Sequence, residues 1–296
     1  MIENFDSSLF HAVNGFAGYW FWDSLADVEE NVPLLKGGLF MAVFCWLWFE
    51  PRDRKQGARR QSLIAILMAG FAALFIARAL AHIIPFRVRP MYADPLYHAT
   101  SYIFTPNYED WSSFPSDTAA LYFALATGVF FIWRGMGILL LAYASIWICL
   151  PRLYLGLHYP SDLIGGAWVG SFSACLFWYL SRTRLFDRWV GGPLLGLEHK
   201  YPSVFYACAF PVVYETAGMF GDARYAFRHA GFLFRLPPAQ IAMLWVFLLA
   251  SVSFIATFFW RRAKTNRASA PVSLLPTAAR ARSESGYSQT PRILSK

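Results

Sequence analysis

Residues 160–181, PSDLIGGAWVGSFSACLFWYLS, carry one charged side chain, Asp162, close to the start. The run is near the ~20 residues a helix needs to cross a bilayer. Comparable stretches at 33–49, 62–84, 117–133, 137–157, 204–220 and 239–260 bring the predicted spans to seven. Segment 204–220 is the weakest, because Pro211, Glu215 and Gly218 interrupt it, and at the interface it would leave six spans. Composition agrees: 57% of residues are hydrophobic and 15% charged, against roughly 45–50% and 25% in soluble domains. The expected fold class is all-α, a polytopic transmembrane helical bundle with about six or seven spans.

Charge then sets orientation. The formal net charge is +8, and in a membrane chain an excess of Lys and Arg reports topology rather than nucleic-acid binding. The basic segments PRDRKQGARRQ (51–61), SRTRLFDRW (181–189) and RRAKTNR (261–267), with Arg134, are predicted to be cytoplasmic. Arg224, Arg228 and Arg235 run against that pattern. The acidic N-terminal stretch, with Glu3 and Asp6 well before Lys36, is unlike a signal peptide. Four regions result: an outside or interfacial segment at 1–32, a transmembrane core at 33–182, further membrane-associated helices at 183–260, and a disordered basic cytoplasmic tail at 261–296. The expected location is a bacterial cytoplasmic (inner) membrane, with the C-terminus cytoplasmic. The four cysteines lie in apolar runs without metal spacing and predict no disulfide framework.

Three polar clusters fall on the predicted outer side, at the ends of different spans: HIIPFRVRP (82–90), SFPSDTA (113–119) and PRLYLGLHYPSD (151–162). Ionisable groups at membrane depth are costly and point to function. In the third cluster, Pro160 suits the first position of a helix. That places Asp162 in the first turn, within reach of His158. A carboxylate beside an imidazole prepares it for proton transfer or nucleophilic attack. The planar fork of Arg152 suits two phosphate oxygens. Taken alone, Arg89 beside Pro90 reads as an arginine snorkelling to the headgroups, and Ser116 as a helix N-cap. Together the clusters describe a phosphate site: two Arg, an anion-binding helix N-terminus and a His–Asp pair. No metal or other cofactor is called for.

These residues resemble the three-part signature of the type 2 phosphatidic acid phosphatase superfamily. The third part reads Pro151-Arg152, LYLGL, His158, YPS, Asp162; the second reads Pro115-Ser116-Asp117-Thr118; the first reads His82, IIPFRV, Arg89-Pro90. The resemblance covers about 33–181. It implies His158 as a nucleophile forming a phosphohistidine and Asp162 as the residue that orients it. It implies that Arg89, Arg152, Ser116 and the neighbouring Asp117 segment bind the phosphoryl group.

Three positions depart from the pattern. His82 replaces a Lys, for which Arg78, one turn earlier, or Lys36 could supply the charge. Pro151 replaces a Ser. Thr118 replaces the histidine that protonates the leaving group, a contribution typically worth about 10²–10⁴ in rate. An alkoxide needs that proton far more than a phosphate anion does, so Thr118 favours a diphosphate substrate, and Asp117 could act as the acid instead. The expected function is hydrolysis of a lipid (di)phosphate at the outer membrane face, a polyprenyl diphosphate above all, as in undecaprenyl-diphosphate phosphatases. The alternatives are a phosphatidate-type monophosphatase, a lipid phosphotransferase, or a catalytically weakened protein that binds or moves lipid. The expected partners are the bilayer and a phospholipid or polyprenyl phosphate, with no nucleic acid; the oligomeric state is left open.

Overall fold

The computed structural model describes residues 2–50, 56–98 and 111–223, together with 226, 246 and 257. Every element lies in one compact unit, 1–226; the second unit, 227–296, is described only at Val246 and Thr257. The predicted span 239–260, the tail from 261, residues 51–55 and Arg224, Arg228 and Arg235 thus lie outside the described residues.

The chain is helical. Helices α1 (Ile2–Asn14) and α2 (Trp20–Asn31) precede α3 (Leu34–Phe49), and a 76° bend separates α2 from α3. Then follow α4 (Gln56–Ile83), the single turn α5 (Pro90–Ala93), α6 (Asp117–Ile132), α7 (Arg134–Tyr154) and α8 (Pro160–Leu180). Short turns at Arg184–Phe186 and Asp187–Gly191 lead into α9 (Gly192–Lys200) and α10 (Pro202–Ala217). Among the described residues α4, α7 and α8 are long and apolar enough to cross a membrane, and the bent pair α2–α3 makes a fourth span if read as one. The protein is an integral membrane protein. Trp168, Phe172 and Tyr179 of α8 lie largely exposed, as lipid-facing side chains of a spanning helix do.

Helices α4, α6 and α8 pack on one another at the centre. α6 has 16 residues, or about 24 Å of helix, and is buried along most of its length by its neighbours. Small residues permit this closeness. Ala73 and Ala77 of α4 meet Ala120 and Ala124 of α6. A Cβ on Gly166 of α8 would stand 2.2 Å from the Ser116 carbonyl oxygen, and one on Gly170 2.2 Å from that of Ala120. Glycine at 166 thus lets α8 approach the start of α6, where two of the polar clusters meet. Phe40, Leu63, Ile66, Leu121, Tyr122 and Leu125 fill the adjoining core.

The N-terminal helices turn acidic groups inward. α1 buries Asp6, Phe10 and Asn14, spaced four apart on one face. α2 buries Asp23, Ala26 and Glu29.

Candidate active site

The chain reverses between α7 and α8 through Gly156, whose φ of +67° is a left-handed conformation that favours glycine. The Gly156 carbonyl accepts from Met91 N at 2.9 Å, tying this turn to α5. His158 follows, only 2% exposed. Its Nδ1 lies 2.8 Å from the Ser113 carbonyl oxygen. A carbonyl only accepts, so Nδ1 carries the proton and Nε2 keeps its lone pair. Burial first, then the positive charges of Arg89 and Arg152, push the His158 pKa well below the ordinary imidazole value, so the ring is neutral.

Asp162 occupies the first turn of α8, and its Oδ2 accepts from Tyr159 N at 2.8 Å. The same oxygen is 3.9 Å from His158 Nδ1, too far for a hydrogen bond. The direct contact to the imidazole proton therefore comes from Ser113, while Asp162 caps the turn that follows His158. Asp162 Oδ1 accepts from Arg87 Nη1 at 2.6 Å.

Arg89 caps α5 and donates from Nη1 to the Leu157 carbonyl at 2.7 Å, beside the histidine. Ser116 caps α6, with Oγ accepting from Ala119 N at 3.3 Å. Ser116 N donates to the Asp162 carbonyl at 3.0 Å, joining the second cluster to the third. Asp117 Oδ2 accepts from Arg78 Nη2 at 2.7 Å, and the Arg78 guanidinium lies 5.2 Å from the centre of the Trp111 ring.

A cleft of about 70 Å³ opens at this end of the bundle, lined among others by Arg78, His82, Phe86, Arg89, Trp111, Asp117 and His158. It has room for several water-sized groups, enough for a phosphoryl group. Of the two residues weighed as substitutes for the missing lysine, Arg78 is in this wall. Lys36 is buried elsewhere, donating to Glu30 Oε2 at 2.8 Å. Arg152 Nη2 donates to the same Glu30 oxygen at 2.7 Å. Neither Arg152 nor Ser116 forms part of the cleft wall. Thr118 is buried behind the wall, and its Oγ1 donates to Asp117 Oδ1 at 3.3 Å. Among the described residues no three His, Cys, Asp or Glu side chains gather as metal ligands do.

The model of the PAP2 superfamily matches residues 62–186. The Escherichia coli (strain K12) protein named Putative undecaprenyl-diphosphatase YbjG is 31% identical over 200 residues, 64% of this chain and 90% of its own length. The chain belongs to the PAP2 superfamily. A lipid A 4'-phosphatase of Bacteroides thetaiotaomicron is 42% identical over 74 residues, 23% of this chain and 31% of that protein. The crystal structure of Aquifex aeolicus LpxE matches 58% of this chain and 94% of its own, with 20% identity and a TM-score of 0.42. Membership makes the protein a membrane lipid phosphatase, a hydrolase acting on phosphoester bonds.

Several residues of the site carry no motif signal. Ser113 acts through its backbone, which sequence patterns do not mark. Arg87 lies two residues before Arg89, inside the first cluster, where its charge alone hinted at a role. Asp6 and Glu30 come from helices that precede the matched segment.

Proposed function

We propose that the protein hydrolyses a lipid diphosphate, a polyprenyl diphosphate above all, through a phosphohistidine on His158. The observation that carries this reading is the neutral imidazole in the cleft wall, with its Nδ1 proton given to Ser113. Nε2 attacks the terminal phosphorus, and the bond to the bridging oxygen breaks. The lipid monophosphate leaves with the electron pair. Water then attacks the phosphorus, the P–N bond breaks, and inorganic phosphate departs. Arg89 and Arg78, with the backbone at the start of α6, stabilise the equatorial oxygens, the dominant need of phosphoryl transfer. Arg152 contributes positive potential from its buried position beside Glu30.

Thr118 favours the diphosphate. Its hydroxyl is turned to Asp117 rather than into the cleft, so position 118 supplies no proton donor. A phosphate leaving group, with a pKa of about 6, departs without one. A second reading, a lipid monoester substrate, draws on His82, which lines the cleft and could protonate an alkoxide.

Exposed Phe86 in the cleft wall suits a lipid chain, and Trp111 there suits a membrane–water interface. Arg59, Arg60, Arg134, Arg182 and Arg184 lie toward the opposite ends of the helices. This distribution, with positive charge favoured on the cytoplasmic side, supports a cleft on the outer face of a cytoplasmic membrane.

Phosphate release from polyprenyl diphosphate, phosphatidate and a lipid A-type monoester tests the substrate reading. The diphosphate should lead in kcat/KM by at least about tenfold. A monoester that matches or exceeds it overturns the preference.

A further inference from the structure

The buried carboxylate of Asp6 has no place in the chemistry described so far, yet it ends a chain of contacts that leads to the nucleophile. Asp6 is 1% exposed. Its Oδ1 accepts from Ser161 N at 2.9 Å, and its Oδ2 accepts from Ser161 Oγ and Arg87 Nη2, both at 2.6 Å. Arg87 Nη1 in turn donates to Asp162 Oδ1 at 2.6 Å and to Ser161 Oγ at 2.7 Å. The backbone of the same arginine makes the second link: its carbonyl accepts from Ser113 N at 2.9 Å, and the Ser113 carbonyl receives the His158 Nδ1 proton.

We propose that Asp6 and Arg87 form a positioning pair that fixes the aim of His158, so that the N-terminal helix α1 is a working part of the catalytic machinery. Two routes leave Arg87: its backbone carbonyl holds Ser113, whose carbonyl receives the Nδ1 proton, and its guanidinium holds Asp162, whose other oxygen fixes the turn at Tyr159 next to His158. Simple anchoring of α1 needs no buried charge, because Phe10, one turn on, is itself fully buried. A buried carboxylate is costly unless it is paired and hydrogen-bonded. Here its partners are the residues that set the first turn of α8 and hold the nucleophile. Asp6 holds the second arm of the guanidinium whose Nη1 already binds Asp162; without that carboxylate the Arg87–Asp162–Ser161 set shifts, and the turn that carries His158 shifts with it.

The proposal rests on His158 being the nucleophile. Its test uses the full-length protein in detergent, with polyprenyl diphosphate as substrate and inorganic vanadate and inorganic phosphate as inhibitors. Vanadate, in its five-coordinate form, rewards a correctly aimed Nε2, whereas phosphate reports the anion site alone. Asp6→Asn keeps the shape and removes the charge. The expected result is a fall in kcat of about 10²-fold, the cost of roughly 1 Å of misplacement, with KM changed less than about threefold. Vanadate inhibition should weaken by about tenfold or more while phosphate inhibition stays within about threefold. Wild-type kcat, or equal weakening of both inhibitors, overturns the proposal. If Asp6→Asn does not accumulate as folded protein, Ser161→Ala, which deletes only the hydroxyl, must show the same selective loss of vanadate, and unchanged vanadate inhibition there overturns it too. Phosphate release undiminished in His158→Ala would refute the nucleophile itself, an outcome distinct from any result with Asp6.

Discussion

Lowering the pH tests the environment of the nucleophile directly. Only the neutral imidazole can attack phosphorus. With an ordinary pKa of about 6.5, His158 would be about 3% neutral at pH 5.0, and its reaction would slow about 30-fold from pH 7.5. Burial, reinforced by Arg89 and Arg152, depresses the folded pKa instead. The neutral form then persists as pH falls and is lost only near the depressed value. Single-turnover phosphorylation at pH 7.5 and 5.0, corrected for the separately titrated ionisation of the substrate, should therefore differ by less than about twofold. A fall near 30-fold would refute the account of the site. Stability follows the same linkage with a definite sign. Below about pH 6.5 the unfolded histidine binds a proton that the folded one does not, so stability falls as pH drops through this window. At pH 5.0 the loss is about 1.5 pH units at 1.36 kcal/mol each, about 2 kcal/mol, and His158→Gln should abolish that share.

Other perturbations follow from the packing. Glu30→Gln leaves Arg152 and Lys36, both buried, without the carboxylate they share; removing one partner of such an assembly costs about 3–5 kcal/mol. Thermal unfolding in detergent should show this, and a loss below about 1 kcal/mol would place these groups in water. Gly166→Ala sets a methyl group against the Ser116 carbonyl at 2.2 Å. It should cost about 1–3 kcal/mol of stability by overpacking and lower kcat, because the start of α6 must move; wild-type values for both would show that the helices separate freely.

The sequence marks well what depends on side-chain identity at fixed spacing. The apolar runs announce membrane helices, and α4, α7 and α8 carry that length and composition. The order and spacing of the three clusters lead to the PAP2 superfamily, to which the chain belongs. Contacts made by the backbone are silent in such a reading. His158 and Asp162, four residues apart, suggest a direct pair, but the imidazole proton goes to Ser113, 45 residues earlier. Long-range charge pairing is equally hidden. Glu30 reads as an acidic residue of an interfacial segment, yet it meets Arg152 122 residues later. Asp6 lies 155 residues from Ser161. No local pattern tells a buried carboxylate from a solvated one when its partner lies so far along the chain. Arg78, one turn before His82, and Lys36, near the end of the first predicted span, are both candidates in the sequence for the charge missing at His82; the cleft wall separates them, since α4 brings Arg78 there and Glu30 holds Lys36 away from it.

In the proposed cycle, phosphate passes through His158. Polyprenyl diphosphate labelled at the terminal phosphorus, reacted for milliseconds and quenched in alkali, measures it most directly. The expected result is one alkali-stable, acid-labile label on the peptide that contains His158, formed and lost at rates that support turnover, and no label in His158→Ala. Turnover in the wild type without that label, or the same label in His158→Ala, would contradict it.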